Sequence, residues 1–204
     1  MKAPRGAGWR DVELVALDFE TTGLDLERDE VVSWGLVPIR SGRVILSEAR
    51  YQEVSPAVAP THSSVRIHGL RPSALREAPA LADVVEDLRS ALADRWLVVW
   101  MAEVETAFLS RVLGGSVRAW RRRTIDALRL SLLLDRLEEV RENKRTRGLA
   151  ATAGRRRVPI EDAHHALGDA VMTAELFLVL ASKLERHGVA DLRRLLRRSR
   201  DRLP

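Results

Sequence analysis

Two pairs of side chains in this sequence could do chemistry. Asp18 and Glu20 stand two apart at the end of the run Glu13-Leu-Val-Ala-Leu-Asp18. Positions two apart on a strand share a face, so both carboxylates would converge where the strand leaves the sheet. Converging carboxylates repel unless a cation lies between them, and all-oxygen ligation suits Mg²⁺ or Mn²⁺. His164 and Asp169 form the second pair, inside Ala163-His-His-Ala-Leu-Gly-Asp-Ala170. With Asp169 in a helix, its inward stripe would include Met172, Thr173, Leu176, Phe177 and Leu180. A carboxylate on such a stripe is costly unless paired or metal-bound. His164, about one turn earlier, could take a proton from water near neutral pH. The plain alternatives are an exposed acidic strand end, with Thr21 and Thr22 bonding the turn, and a capping or surface histidine. Asp162 could likewise be an N-cap.

The elements that must hold these residues follow from hydrophobic periodicity. Residues 13–18 read as a strand buried on both faces. Residues 30–39 and 43–52 read as two more, joined antiparallel by a Ser41-Gly42 turn. The connection holding Pro56, Pro60, Gly69 and Pro72 reads as a loop, with room for short helical turns. Leu81, Val84, Val85, Leu88 and Leu92 have helical spacing, so a helix is expected over 80–93. Residues 96–100 form a short buried strand, with Trp96 and Trp100 in the core. A helix from Val104 to Leu113 is ended by Gly114-Gly115. Thr124-Ile125 is a brief strand, and Asp126 caps a helix to Leu137. Residues 138–147 are a solvated helix end or loop, 148–153 a short helix, and 155–159 a loop. A strong helix spans His165 to Glu185. Beyond it, 189–202 is a basic amphipathic helix with Leu192, Leu195 and Leu196 on one face. Strands followed by helix–strand alternation predict an α/β mixed sheet. The organisation expected is a basic arm over 1–12, one catalytic domain over 13–185, and the basic C-terminal helix over 186–204.

Composition narrows the setting. The chain has 204 residues, 46% hydrophobic and 31% charged, enough for one domain with a sizeable core. No stretch approaches the ~20 apolar residues of a membrane span, and no signal-peptide core follows the basic start. With no cysteine, disulfides and thiolate metal sites are excluded, and a cytoplasmic location is expected. The net charge is +5, with arginine making much of the excess. Nucleic acid is the obvious anionic partner for arginine forks, although arginine-rich composition also arises without one. Arg121-Arg122-Arg123, Arg155-Arg156-Arg157 and the Arg193-to-Arg202 tail could guide a strand by its phosphates or be solvated faces.

The order of these motifs resembles a known family. Asp18-Phe19-Glu20-Thr21-Thr22-Gly23-Leu24 is similar to the first exonuclease motif of the DnaQ-like superfamily, which includes the proofreading epsilon subunit of bacterial DNA polymerase III. His164 to Asp169 resembles the His-x4-Asp third motif of its DEDDh branch. Ile67-His68-Gly69-Leu70 and Ile125 to Leu130 resemble its intervening segments, and the likeness covers residues 13–182. The resemblance implies a ribonuclease-H-like fold, a mixed five-stranded sheet flanked by helices. It implies two ions, Mg²⁺ or Mn²⁺, on Asp18, Glu20, Glu105 and Asp169, with Asp18 bridging both and His164 as the base. It implies 3′→5′ hydrolysis of single-stranded or frayed ends to nucleoside 5′-monophosphates. Substrate would be held by Thr21, Thr22, Gly23, Leu24, His68 and Met101.

The second motif departs from the family pattern. Relatives usually read His-Asn-x-x-Phe-Asp-x-x-Phe-Leu, and here Met101 stands at the Asn position and Glu105 at the Asp position. Glu105 keeps a carboxylate one methylene longer, while Met101 loses the amide. Three readings therefore stand: an active proofreading or repair exonuclease, a weakened nucleic-acid-binding or polymerase-associated module, and an oligoribonuclease-like RNA trimmer. No residue could be assigned to reading the sugar 2′-OH, so DNA and RNA stay open. No membrane association is expected.

Overall fold

The computed structural model describes residues 4–140, 147–160 and 163–201. Its centre is β1 (Leu14–Thr21), which lies antiparallel to β2 (Val31–Arg40) and parallel to β5 (Trp96–Val99), with β6 (Thr124–Asp126) beyond. The sheet order is β3-β2-β1-β5-β6, where β3 is Arg43–Val44, and β4 (Arg50–Glu53) also pairs with β2. Residues 43–52, expected as one strand, are therefore two. The ladder from Ile39–Val44 reaches Pro38, which accepts from Ile45 N at 2.9 Å but has no N–H to return. A 3₁₀ turn over Leu46–Glu48 follows, and pairing resumes at Leu36–Arg50. The Ser41-Gly42 turn forms as expected, with φ of 51° and 73°, the two positive values that a two-residue hairpin matched to strand twist requires.

Alternation along β1 divides the core. Leu14 and Ala16 face α8 (Ala166–Arg186), against Met172, Leu176, Phe177 and Leu180. Val15, Leu17 and Phe19 face α3 (Leu81–Leu92) and α4 (Ala102–Leu113), against Leu88, Phe108 and Leu109. Each helix offers an apolar stripe at 3.6-residue spacing, and the central strands, covered on both sides, are mostly apolar up to Asp18. The connection after β4 contains α1 (His62–His68) and α2 (Pro72–Leu75). Helix α5 (Val117–Arg121), capped by Ser116, was not expected: it is too short to show a period. Helix α6 (Ala127–Leu137) starts on Asp126, whose side chain accepts from Arg129 N at 2.9 Å. Helices α7 (Leu149–Arg155) and α9 (Leu192–Arg198) complete the described elements, and Leu192, Leu195 and Leu196 are buried. Residues 7–12 do not extend as an arm. Trp9 is buried edge-on against Phe177, and Gly8 bridges Asp191. No described helix is long and apolar enough to cross a membrane. Asp162 and most of the charged stretch 138–147 lie outside the described residues.

Two of the arginine runs contribute cations to the interior. Arg123 donates to the carbonyls of Leu92 and Arg95. Arg156, expected in a loop, follows the end of α7 with its side chain only 7% exposed. It pairs with Asp135 at 2.5 Å and Glu138 at 2.6 Å, and Lys183 joins through Glu138 at 3.1 Å. Removing one partner of a buried pair leaves an uncompensated charge, at about 3 kcal/mol or more. Arg156→Ala is therefore expected to lower the melting temperature by roughly 6–12 °C, whereas Arg197→Ala on the exposed face of α9 shifts it little. Differential scanning fluorimetry on both variants checks this.

Candidate active site

The face of β1 that carries Leu14 and Ala16 continues through Asp18 and Glu20. Opposite them on β2 stand Gly35 and Ser33. Gly35 matters because of what lies above it. A Cβ there would sit 2.3 Å from Ala166 C and Leu167 N, so the first turn of α8 rests directly on the β2 backbone. That close approach brings Asp169, in the same turn, down to the strand pair. One oxygen each from Asp18, Glu20 and Asp169 lies within 4.8 Å of the others. Gly35 is not among the site residues expected from the sequence. The available signal was a glycine inside an otherwise apolar strand, which marks close backbone approach.

Glu105 reaches the cluster from the other side of the sheet. The first turn of α4 is pinned by Asp126, whose Oδ2 accepts from Ala102 N at 3.0 Å, and by Thr106 Oγ1 donating to Ala102 O. Glu105 is 5% exposed, and its Oε2 meets no hydrogen-bond partner. It stands outside the tight triad of Asp18, Glu20 and Asp169, yet of the neighbouring carboxylates it acts most strongly on Asp18. Burial first, then the charges of Glu105, Asp169 and Glu20, push the Asp18 carboxyl well above its usual range. Burial and Asp169 raise Glu20 to about 8. Burial and Glu20 raise Glu105, and burial raises Asp169. Among the described residues, no lysine or arginine pairs with any of the four.

The remaining expected residues fall into three groups. His164 is exposed in the left-handed region, with φ 66°, and its backbone N–H donates to Asp169 Oδ2 at 3.2 Å. Its neighbour His165 stands at the N-cap position of α8, its side chain stacked on Tyr51 with ring centroids 4.3 Å apart. The turn after β1 is built by side chains expected to meet substrate. Thr22 is fully buried; its hydroxyl donates to Asp29 at 2.7 Å and accepts from Glu30 N at 3.0 Å, so it braces the turn. Thr21 Oγ1 donates to Gly23 O at 2.6 Å. A Cβ on Gly23 would meet Asp29 Oδ2 at 2.4 Å, hence glycine there. His68 accepts from Leu70 N through Nδ1, so its proton sits on Nε2, buried beside Thr21 with no aligned acceptor. Leu24 and Met101 form the open group, 82% and 43% exposed.

The RNase_T family, described as Exonuclease, matches residues 15–177. This chain belongs to that family. The matched span of RNase_T contains Asp18, Glu20, Glu105, His164 and Asp169. The chain is 28% identical over 186 residues to the DNA polymerase III PolC-type of Thermotoga maritima, covering 89% of this chain and 13% of that protein. It is 30% identical over 177 residues to a DNA polymerase III subunit epsilon-like protein of Rhodobacter capsulatus, covering 86% of this chain and 24% of that one. The chain thus spans a quarter or less of these relatives. Its fold is that of E. coli Exonuclease I in complex with a dT13 oligonucleotide. The TM-score is 0.74 at 17% identity, over 87% of this chain and 42% of that one. The RNase_T fold is thus the mixed α/β, ribonuclease-H-like sheet that the motif order implied.

The cluster predicts a pH dependence of stability in the absence of metal. Carboxyls with raised folded pKa values stabilise the fold fully below their unfolded values and lose that contribution as pH rises through the folded ones. For Glu20 the window runs from 4.5 to about 8. In chelator, the melting temperature is expected to fall as pH rises across this window, and saturating Mn²⁺ should remove most of the slope. Fluorimetry at fixed ionic strength reads both.

Proposed function

We propose that this chain is a metal-dependent 3′→5′ exonuclease that releases nucleoside 5′-monophosphates from single-stranded or frayed nucleic-acid ends. The observation that carries the reading is the cluster of unpaired carboxylates, with the buried, partnerless Oε2 of Glu105 beside it. Buried carboxylates without cationic side chains suit hard divalent ions. Asp18, Glu20 and Asp169, with Glu105, would hold Mg²⁺ or Mn²⁺. Ions bound there supply Lewis acidity towards water and positive charge at the phosphoryl oxygens.

The chain's own groups do the rest. His164 accepts the proton of the attacking water, whose oxygen bonds to the terminal phosphorus as the P–O3′ bond breaks; the leaving 3′ oxygen takes a proton from solvent. The exposed Leu24 and Met101 offer apolar contact to the terminal bases. The relationship to PolC-type polymerases and an epsilon-like protein supports work on DNA ends beside a polymerase or repair complex. The weakened-module reading rests on Met101 and Glu105. The burial of Glu105 and its electrostatic effect on Asp18 favour a retained role.

The test uses a 5′-labelled single strand with Mg²⁺ or Mn²⁺. Stepwise shortening and release of 5′-monophosphates are expected, abolished by chelator. His164→Ala should lower kcat by roughly 10²–10⁴-fold, the usual worth of a general base, and leave Mn²⁺ binding unchanged. A full-rate His164→Ala enzyme, or cleavage from internal sites only, would overturn the reading.

A further inference from the structure

Away from the carboxylate cluster lies a groove of about 720 Å³ lined by Arg118, Arg121, Arg122, Arg129 and Arg200, with Glu103 on its wall. Val117 adds an apolar patch. These cations differ from the structural arginines 123 and 156. Arg129 and Arg200 are tethered, donating to the carbonyls of Asp201 at 2.7 Å and Leu196 at 2.6 Å. Among the described residues, Arg118, Arg121 and Arg122 have no carboxylate within ion-pair distance. Burial and the like charge of Arg122 hold the Arg200 guanidinium below its ordinary range. Asp126 reaches Arg129 at 3.5 Å and Glu103 is the one acidic lining residue, so five arginines outnumber their carboxylates and leave a net positive surface that an anion stabilises.

Its position suggests which anion. Glu103 on the groove wall and Glu105 in the carboxylate cluster are two residues apart in the first turn of α4. The two sites therefore flank one helical turn. The guanidinium forks come from α5, the residue after it, α6 and the chain after α9, so separate elements contribute them. Several guanidinium forks lining one groove suit a ligand with more than one phosphate, and Val117 can lie against a sugar or base. We propose that this groove holds the phosphate backbone of the nucleic-acid strand on the 5′ side of the terminus being cut. The proposal rests on the exonuclease reading, because that reading makes the neighbouring substrate a polyanion.

The experiment separates the two. Fluorescence anisotropy with labelled dT20, in Ca²⁺ at several salt concentrations, reads strand binding without turnover. Mn²⁺-dependent hydrolysis of dT3, too short to fill both sites, reads the carboxylate centre. The variant is Arg118→Gln/Arg121→Gln/Arg122→Gln, with Arg122→Glu as a single-site companion should the triple variant fold poorly. Removing three phosphate contacts should lower the slope of log K against log salt by about 2. It should weaken dT20 binding roughly tenfold or more at about 100 mM salt, while dT3 hydrolysis stays at the wild-type rate. Unchanged dT20 affinity and slope would overturn the groove assignment. So would loss of polyglutamate binding with dT20 unaffected, which would mark an acidic protein partner. If the wild-type chain leaves dT3 intact, the exonuclease reading fails, and anisotropy still decides the groove.

Discussion

Asp18→Asn is expected to abolish hydrolysis and to make the metal-free protein more stable. Asp18 sits at the centre of the cluster, raised first by burial and then by Glu105, Asp169 and Glu20. At neutral pH without metal, the fold must either protonate it or tolerate the repulsion. The amide removes that cost, so the melting temperature in chelator should rise above that of the wild type. With Mn²⁺ the order should invert. The wild type gains binding free energy, about 2.7 kcal/mol at 100-fold saturation, which the variant has lost. Hydrolysis should fall on the order of 10³-fold or more, because a ligand to the rate-enhancing charge is gone. A variant that is both inactive and destabilised in chelator would mean that Asp18 serves the fold rather than the site.

Gly35→Ala is expected to damage the site from a position that touches no substrate. The added methyl would fall 2.3 Å from the α8 backbone, and backbone cannot rotate away as a side chain can. Overpacking of this kind costs typically 1–3 kcal/mol. The larger effect is on geometry, since α8 carries Asp169. A displacement of about 1 Å at a catalytic group can cost roughly 10²-fold in rate. The expected result is a folded protein, a melting temperature lower by several degrees, and kcat reduced about a hundredfold with Mn²⁺ affinity weakened in parallel. Wild-type kcat in Gly35→Ala would show that α8 can lift without moving Asp169, and the positioning role would be withdrawn.

What was legible in the sequence were features carried by local periodicity. The period of two put Asp18 and Glu20 on one face, and the 3.6-residue stripe of Met172, Leu176, Phe177 and Leu180 marked α8 and turned Asp169 inward. The Asp126 cap and the Ser41-Gly42 turn were readable because each acts within a few residues. Features set by distant partners were not. Arg155-Arg156-Arg157 reads the same whether solvated or buried, because Asp135, which decides it, lies on another helix. Pro38 breaks the ladder only because its register partner is Ile45. Thr22 was expected to face substrate, but Asp29 and Glu30 fold back to claim its hydroxyl.

The central claim is that Asp18, Glu20, Glu105 and Asp169 form one divalent-cation pocket. Anomalous diffraction from crystals soaked in Mn²⁺ tests it most directly. The account predicts manganese peaks between the carboxylates of Asp18, Glu20 and Asp169, with Glu105 turned towards them. Crystals that take up manganese elsewhere, leaving these four side chains unliganded, would contradict it.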